Sequence, residues 1–121
     1  MTYEELVAKV KAAYADVDAG AIKEHVAFQF NVTGEAAGAF YVEISDGKVN
    51  VEPYEYHDRD ILVTASADTI LQLAEGKLDP VKAYFTGKLK AQGDLGKAGF
   101  LKELSDKPKK KAGRPKKTEK Q

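Results

Sequence analysis

An α+β fold is predicted for this chain: a five-stranded, mostly antiparallel sheet covered on one face by helices, then a disordered basic tail. Three observations predict it. One amphipathic helix and four segments of alternating apolar residues fill residues 2–65, and runs of strands beside runs of helices indicate one sheet with a helical layer. Between Ala67 and Leu104, three short helices and a strand are punctuated by explicit stop and start signals. From Asp106 to Gln121 apolar content collapses and eight Lys or Arg face two Asp or Glu, a net of +6, which leaves −6 on residues 1–105.

Thr2 to about Val17 reads as a helix. Thr2 and Glu5 form a capping box, and Leu6, Val7, Val10, Ala13, Tyr14 and Val17 make one apolar stripe. Asp18-Ala19-Gly20 is its stop. In Val26–Val32 the large apolar side chains fall on every second residue, so one strand face is buried. After a turn at 33–36, Phe40, Val42 and Ile44 alternate with Tyr41, Glu43 and Ser45. Asp46-Gly47 is a two-residue hairpin turn, because both central residues need positive φ. It sets Ile44 opposite Val49 and Val42 opposite Val51 in the third strand, Lys48–Glu52, a self-consistent register. Residues 53–59 read as a polar, aromatic loop before a fourth strand, Asp60–Ala65, with Ile61, Val63 and Ala65 inward.

Ser66 or Asp68 caps the next helix, which Gly76 stops. Asp79-Pro80 opens another, with Val81, Tyr84 and Phe85 at helical spacing and Gly87 at its end. Lys88–Gln92 reads as the fifth strand, and Asp94 as the cap of a last helix with Leu95, Ala98, Leu101 and Leu104 on its stripe. Strands one to four are expected to meander antiparallel, with the fifth adding parallel after its helical crossover.

A chain of 121 residues has room for one domain, here 1–105, with 106–121 as the tail. There are no cysteines, which excludes disulfides, thiol catalysis and cysteine zinc sites. The acidic N-terminus has no signal core, and no apolar run approaches a membrane span of about 18 residues. A soluble, cytoplasmic protein is therefore expected. No Ser/His/Asp set, metal-ligand spacing or phosphate loop is visible, and His25 and His57 read as solvated imidazoles. The expectation is a protein that is not an enzyme, with no catalytic residue, no metal and no cofactor.

Gly76-Lys77-Leu78-Asp79-Pro80, then Tyr84-Phe85-Thr86-Gly87-Lys88-Leu89-Lys90 and Gly93-Asp94-Leu95-Gly96, closely resemble the sterol carrier protein 2 family. Ile22-Lys23, Phe28–Gly34 and Asp46-Gly47-Lys48-Val49 resemble its bacterial single-domain members, and the likeness covers residues 2 to 104. It implies a sheet with helices over one face and an apolar tunnel between the layers. It also implies broad binding of sterols, fatty acids, fatty acyl-CoA or phospholipids, without a catalytic residue or cofactor.

The inward apolar residues are Phe28, Phe30, Phe40, Val42, Ile61 and Val63 on strands, with Leu71, Leu78, Phe85, Leu89, Leu101 and Leu104 from the later segments. Each taken singly reads as core. Small residues on the covering helices, Ala74, Ala83, Ala98 and Gly99, leave space that larger ones would fill, and an empty apolar cavity attracts a greasy ligand because its lining lacks dispersion partners. These twelve positions are the candidate lipid-binding set, with Lys77, Lys82, Lys88 and Lys90 as either a solvated rim or head-group contacts. The chain then reads as a non-catalytic lipid-binding or transfer protein. One alternative is an accessory, substrate-presenting module for a lipid-metabolising enzyme; the other is a nucleic-acid-associated protein acting through its tail.

The tail's anion-binding candidates are Lys109, Lys110, Lys111, Arg114, Lys116 and Lys117. Gly113-Arg114-Pro115 among lysines is similar to an AT-hook, which lays its arginine in the A·T minor groove, but Ala112 stands where the usual preceding arginine would be. The tail reads in three ways: a solubilising extension, a contact to anionic membranes, or a nucleic-acid tether. Oligomeric state is not legible.

Overall fold

In the computed structural model, which describes residues 1–15 and 17–106, helix α1 (Tyr3–Tyr14) opens on the expected capping box. The Glu5 amide donates to Thr2 Oγ1 at 3.1 Å and the Thr2 amide to Glu5 Oε1 at 2.7 Å. The helix stops at Tyr14 rather than Val17. Val17 leaves the helix for an isolated bridge and is buried there, and the Ala19 amide donates to Gly47 O at 3.2 Å. The apolar stripe thus continues into an extended segment tied to the hairpin turn.

Strands β1 (Val26–Thr33), β2 (Gly38–Ser45), β3 (Lys48–Glu52), β4 (Ile61–Ser66) and β5 (Lys90–Gly93) form one sheet in the order β3-β2-β1-β4-β5. The β2–β3 register pairs Ile44 with Val49 and Val42 with Val51, as the turn chemistry predicts, with Asp46 and Gly47 at φ 53° and 77°. The sheet order departs from the expected meander. β4 lies parallel to β1, and β5 runs antiparallel to β4.

The reason is the 53–60 connection, which crosses the outer face of the sheet instead of turning back on β3. The Tyr56 ring meets Tyr41 of β2 edge-on at 5.0 Å. The Tyr56 amide donates to Gln29 Oε1 at 3.0 Å, Arg59 donates to the same oxygen at 3.3 Å, and the Asp60 amide donates to Ala27 O at 2.9 Å. That crossing delivers the chain to the far side of β1, where β4 pairs with it in parallel.

The remaining helices are α2 (Ala67–Ala74), capped by Ser66, α3 (Pro80–Phe85), capped by Asp79, and α4 (Gly99–Asp106). The expected single helix from Asp94 is broken into a 3₁₀ turn, Leu95–Lys97, followed by α4. Gly96 and Gly99 weaken helix propensity there, and the Asp94 side chain makes no cap bond. β5 begins at Lys90, so Lys88 and Leu89 precede it.

Helices α1 and α2 pack together, α1 against β3 and α2 against β4 and β1; α4 joins α2, and α3 joins α4. The core is solid under α1 and α2, where Phe30 and Phe40 stack at 5.1 Å and Val42, Ile44, Leu6 and Ile70 are buried. The tail candidates Lys109, Lys110, Lys111, Arg114, Lys116 and Lys117 lie outside the described residues.

Candidate functional site

Over β1, β4 and β5 the helical layer stands off the sheet. α3 has only six residues and buries Pro80 and Ala83, side chains too short to reach across. Ala91 on β5 and Ala98 before α4 are small as well. The space left is a cavity of about 260 Å³. Its floor is Phe28, Ile61, Val63 and Ala91; Pro80, Val81, Tyr84 and Phe85 wall one side, and Leu95, Ala98 and Leu101 with Leu89 wall the other. Among the described residues, no charged side chain lines it.

Burial runs in a gradient along this cavity. Phe28 is 0 % exposed and Leu101 3 %, whereas Val81, Leu95 and Phe85 are 40 %, 42 % and 79 % exposed. The cavity is therefore closed at the sheet and opens at α3. A dry apolar cavity of roughly 150 Å³ takes up benzene, so this one has room for hydrocarbon.

Of the twelve positions expected at a binding surface, the structure brings Phe28, Ile61, Val63, Phe85, Leu89 and Leu101 together around the cavity. Phe30, Phe40, Val42 and Leu104 lie in the filled core, with Leu71 and Leu78 partly buried against it. Pro80, Val81, Tyr84, Ala91, Leu95 and Ala98 also line the cavity; the sequence offered Ala98 as a small residue that leaves space, and the other five were not among the lipid-binding candidates. The spacing of Val81 with Tyr84, and of Leu95 with Ala98, marked an apolar face but not where the opposite layer would recede.

None of the four rim lysines lines the cavity. Lys77 pairs with Glu75 at 3.3 Å, Lys82 is exposed on α3, and Lys88 and Lys90 border a separate polar depression with Thr33, Thr64 and Ser66.

The 95–106 segment that roofs the cavity is strapped to the sheet through Asp60. Lys97 Nζ donates to Asp60 Oδ1 at 3.1 Å, Oδ2 accepts the Ala27 amide at 2.8 Å, and the Asp60 carbonyl accepts the Asp94 amide at 2.8 Å. Burial works to raise the Asp60 pKa, but the Ala27 amide and Lys97 outweigh it and hold the carboxyl below its ordinary value. Gly93 permits the approach: a Cβ there would stand 2.3 Å from Asp60 O, at φ +110°.

On the opposite sheet face, His25 Nε2 and Tyr56 Oη lie 2.6 and 2.9 Å from Glu43 Oε2. Burial first, and then the hydrogen bond to the Glu43 carboxylate, push the Tyr56 phenol up to about 12. This cluster fastens the crossing loop and has no route to the cavity. Among the described residues there is no group of acidic, His or Cys side chains that could hold a metal, and no helix long and apolar enough to cross a membrane.

A helix-roofed α+β sheet with an apolar, open-mouthed cavity defines a class of carrier domain. Residues 7–106 match the model of the SCP-2 sterol transfer family, and the chain belongs to that family. Over 84 residues it is 34 % identical to sterol carrier protein 2 of Bos taurus, covering 67 % of this chain and 16 % of that protein. Over 78 residues it is 30 % identical to hydroxysteroid dehydrogenase-like protein 2 of Xenopus tropicalis, covering 64 % of this chain and 19 % of that protein. The chain thus spans a fifth or less of the length of these relatives. The solution structure of palmitated SCP2L2 from Aedes aegypti superposes with a TM-score of 0.63 at 24 % identity, over 90 % of this chain and 98 % of that one.

Proposed function

We propose that this chain binds and transfers a lipid by seating its hydrocarbon portion in the cavity between β1, β4, β5 and the α3–α4 roof, without catalysing a reaction on it. The observation that carries the reading is the uniformly apolar lining, buried at the sheet and exposed at the mouth. Each methylene removed from water contributes about 0.8 kcal/mol, so a seated acyl chain gains several kcal/mol after ordering losses. Fatty acid, acyl-CoA, phospholipid and sterol all present such a portion, and the palmitated mosquito protein favours an acyl chain first.

The test is titration of the full chain with a fluorescent long-chain fatty acid, alongside an Ala98→Phe variant. One equivalent of uptake by the native chain, weakened at least about tenfold by the ring placed in the cavity, is expected. A tenfold loss is about 1.4 kcal/mol, less than two buried methylenes. No uptake, or equal uptake by the variant, overturns the reading. A second reading, that the chain presents substrate to a lipid-metabolising enzyme, is favoured by its relation to hydroxysteroid dehydrogenase-like proteins, of which it matches only a fraction. Co-purification of such an enzyme with the full chain would support it.

A further inference from the structure

The outer face of the sheet, away from the helices and the cavity, gathers three tyrosines among carboxylates. The β2–β3 register sets Tyr41 across from Glu52, and Glu43 across from Asn50 one step along the same face. The Tyr56 ring meets Tyr41 edge-on at 5.0 Å. Tyr54 is 64 % exposed and follows Glu52 through a tight turn, its amide donating to the Glu52 carbonyl at 2.9 Å. The Tyr41 phenol is raised above its ordinary value by burial first, then by the charges of Glu43 and Glu52 and by Tyr54. Asp58 acts on Tyr56 in the same sense, after burial and Glu43. The rings and the acids therefore share one patch.

Most of these acids are uncommitted. The Glu43 carboxylate is taken up by His25 and Tyr56, but among the described residues Glu52, Glu55 and Asp58 make no ion pair. Residues 43–59 hold five acidic side chains against Lys48 and Arg59, and Arg59 is turned onto Gln29. Ring faces attract lysine and arginine, and aromatic surfaces take up proline-rich segments. The chemistry asked of an occupant is a basic, proline-bearing strand of polypeptide.

This chain carries one. Residues 107–121 hold eight basic residues, one acidic residue, Pro108 and Pro115, a net of +7, while residues 1–106 carry a net of −7. We propose that the chain's own segment 107–121 docks on the outer sheet face, its lysines and arginine meeting Glu52, Glu55 and Asp58 and its prolines lying on Tyr41, Tyr54 and Tyr56. The inference is independent of what the cavity holds. Fifteen residues reach at most about 50 Å, and a domain of about 100 residues is roughly 35 Å across, so a segment that starts after Asp106, in the helical layer, can pass the sheet edge. A tethered segment acts at an effective concentration on the order of millimolar. A contact too weak to recruit a free basic peptide is therefore populated by this one.

The chain has no cysteine, so Thr118→Cys in the full chain provides a single thiol for a nitroxide label without removing a charge. In about 0.01 M salt, where charges act across about 30 Å, the nitroxide should broaden the amide resonances of β2, β3 and residues 53–58. That broadening should be lost in about 1 M salt, where the Debye length is about 3 Å. It should also be lost when Glu52→Gln, Glu55→Gln and Asp58→Asn are combined, three changes that remove charge and keep side-chain size. The salt arm needs none of the three substitutions, so it reads the face even if the triple variant fails to fold. Broadening confined to residues next to Asp106, or unmoved by salt or in a folded triple variant, overturns the proposal. Isotope-labelled chain mixed with unlabelled chain bearing the nitroxide reads the remaining outcome. Broadening of the same face in that mixture also overturns the proposal, since a second copy's tail then occupies it.

Discussion

Tyr56 illustrates what one side chain does for the whole sheet. Its ring rests on Tyr41, its amide is held by Gln29, and its hydroxyl donates to Glu43, so the 53–60 crossing is fixed from three directions. Because burial and the adjacent carboxylate push its phenol up to about 12, Tyr56 contributes stability that is fully present below the ordinary tyrosine pKa near 10. That contribution is lost as pH rises through the folded value. In a spectrophotometric titration of the native chain, this phenol should ionise well above the ordinary tyrosine range, and Tyr56→Phe should remove that late step. A titration complete near pH 10.5 in the native chain would contradict the geometry. At this scale the sequence was legible in part. Phe28, Ile61 and Val63 announced an inward face by alternation. Ala91 and Ala98 matter for the volume they do not occupy; Ala98 stood out as a small residue on a covering helix, but no local pattern reports which small residues face a void.

At the scale of elements, caps and turns were legible because their chemistry is local. Thr2, Ser66 and Asp79 cap helices, and Asp46-Gly47 turns the hairpin in the expected register. Strand neighbours were not, because alternation reports which face a strand buries and nothing about which strand lies beside it. The parallel β1–β4 pair depends on a loop crossing two strands, held by Gln29 and Ala27, contacts made about 30 residues away in sequence. The Asp60 strap is likewise non-local and bears on how the roof stays closed. Asp60→Ala leaves the Ala27 amide without its acceptor and frees Lys97, and should destabilise the fold by about 1–3 kcal/mol. Lys97→Met should cost less, since Lys97 also reaches Glu24 only at 4.0 Å. The folded Asp60 pKa is depressed, so its contribution is present above the unfolded value near 4 and fades as pH falls through the folded one. Urea midpoints should therefore separate native and Asp60→Ala chains at pH 7 and draw together as pH falls below about 4. A separation that does not change with pH in the acid range would mean that the carboxylate charge is not what holds the strap.

Across the whole molecule, the two halves of the helical layer do different work. Under α1 and α2 the sheet is packed solid with Leu6, Ile70, Phe30 and Phe40, and this half carries the fold. Under α3 and the 95–106 segment it is hollow, and the roof rests on Leu101, Ala83 and the Asp60 strap. Lining without partner atoms forgoes dispersion contacts, so the hollow half should open more readily than the solid half. A hydrocarbon guest seated there would supply the missing contacts, and anything that binds only the folded state stabilises it by mass action. At a free ligand concentration of a hundred times Kd, that gain is about 2.7 kcal/mol, which for a domain of this size raises Tm by about 10 °C. The gain should be spatially uneven. Amide exchange in α3, in the 95–106 segment and in β5 should slow on fatty acid binding, while exchange in α1, β2 and β3 should change only as far as global stability does. Hydrogen exchange of the full chain with and without palmitate reads both effects at once. Protection confined to α1 and β3, or a rise in Tm with no change at α3, would place the guest outside the cavity.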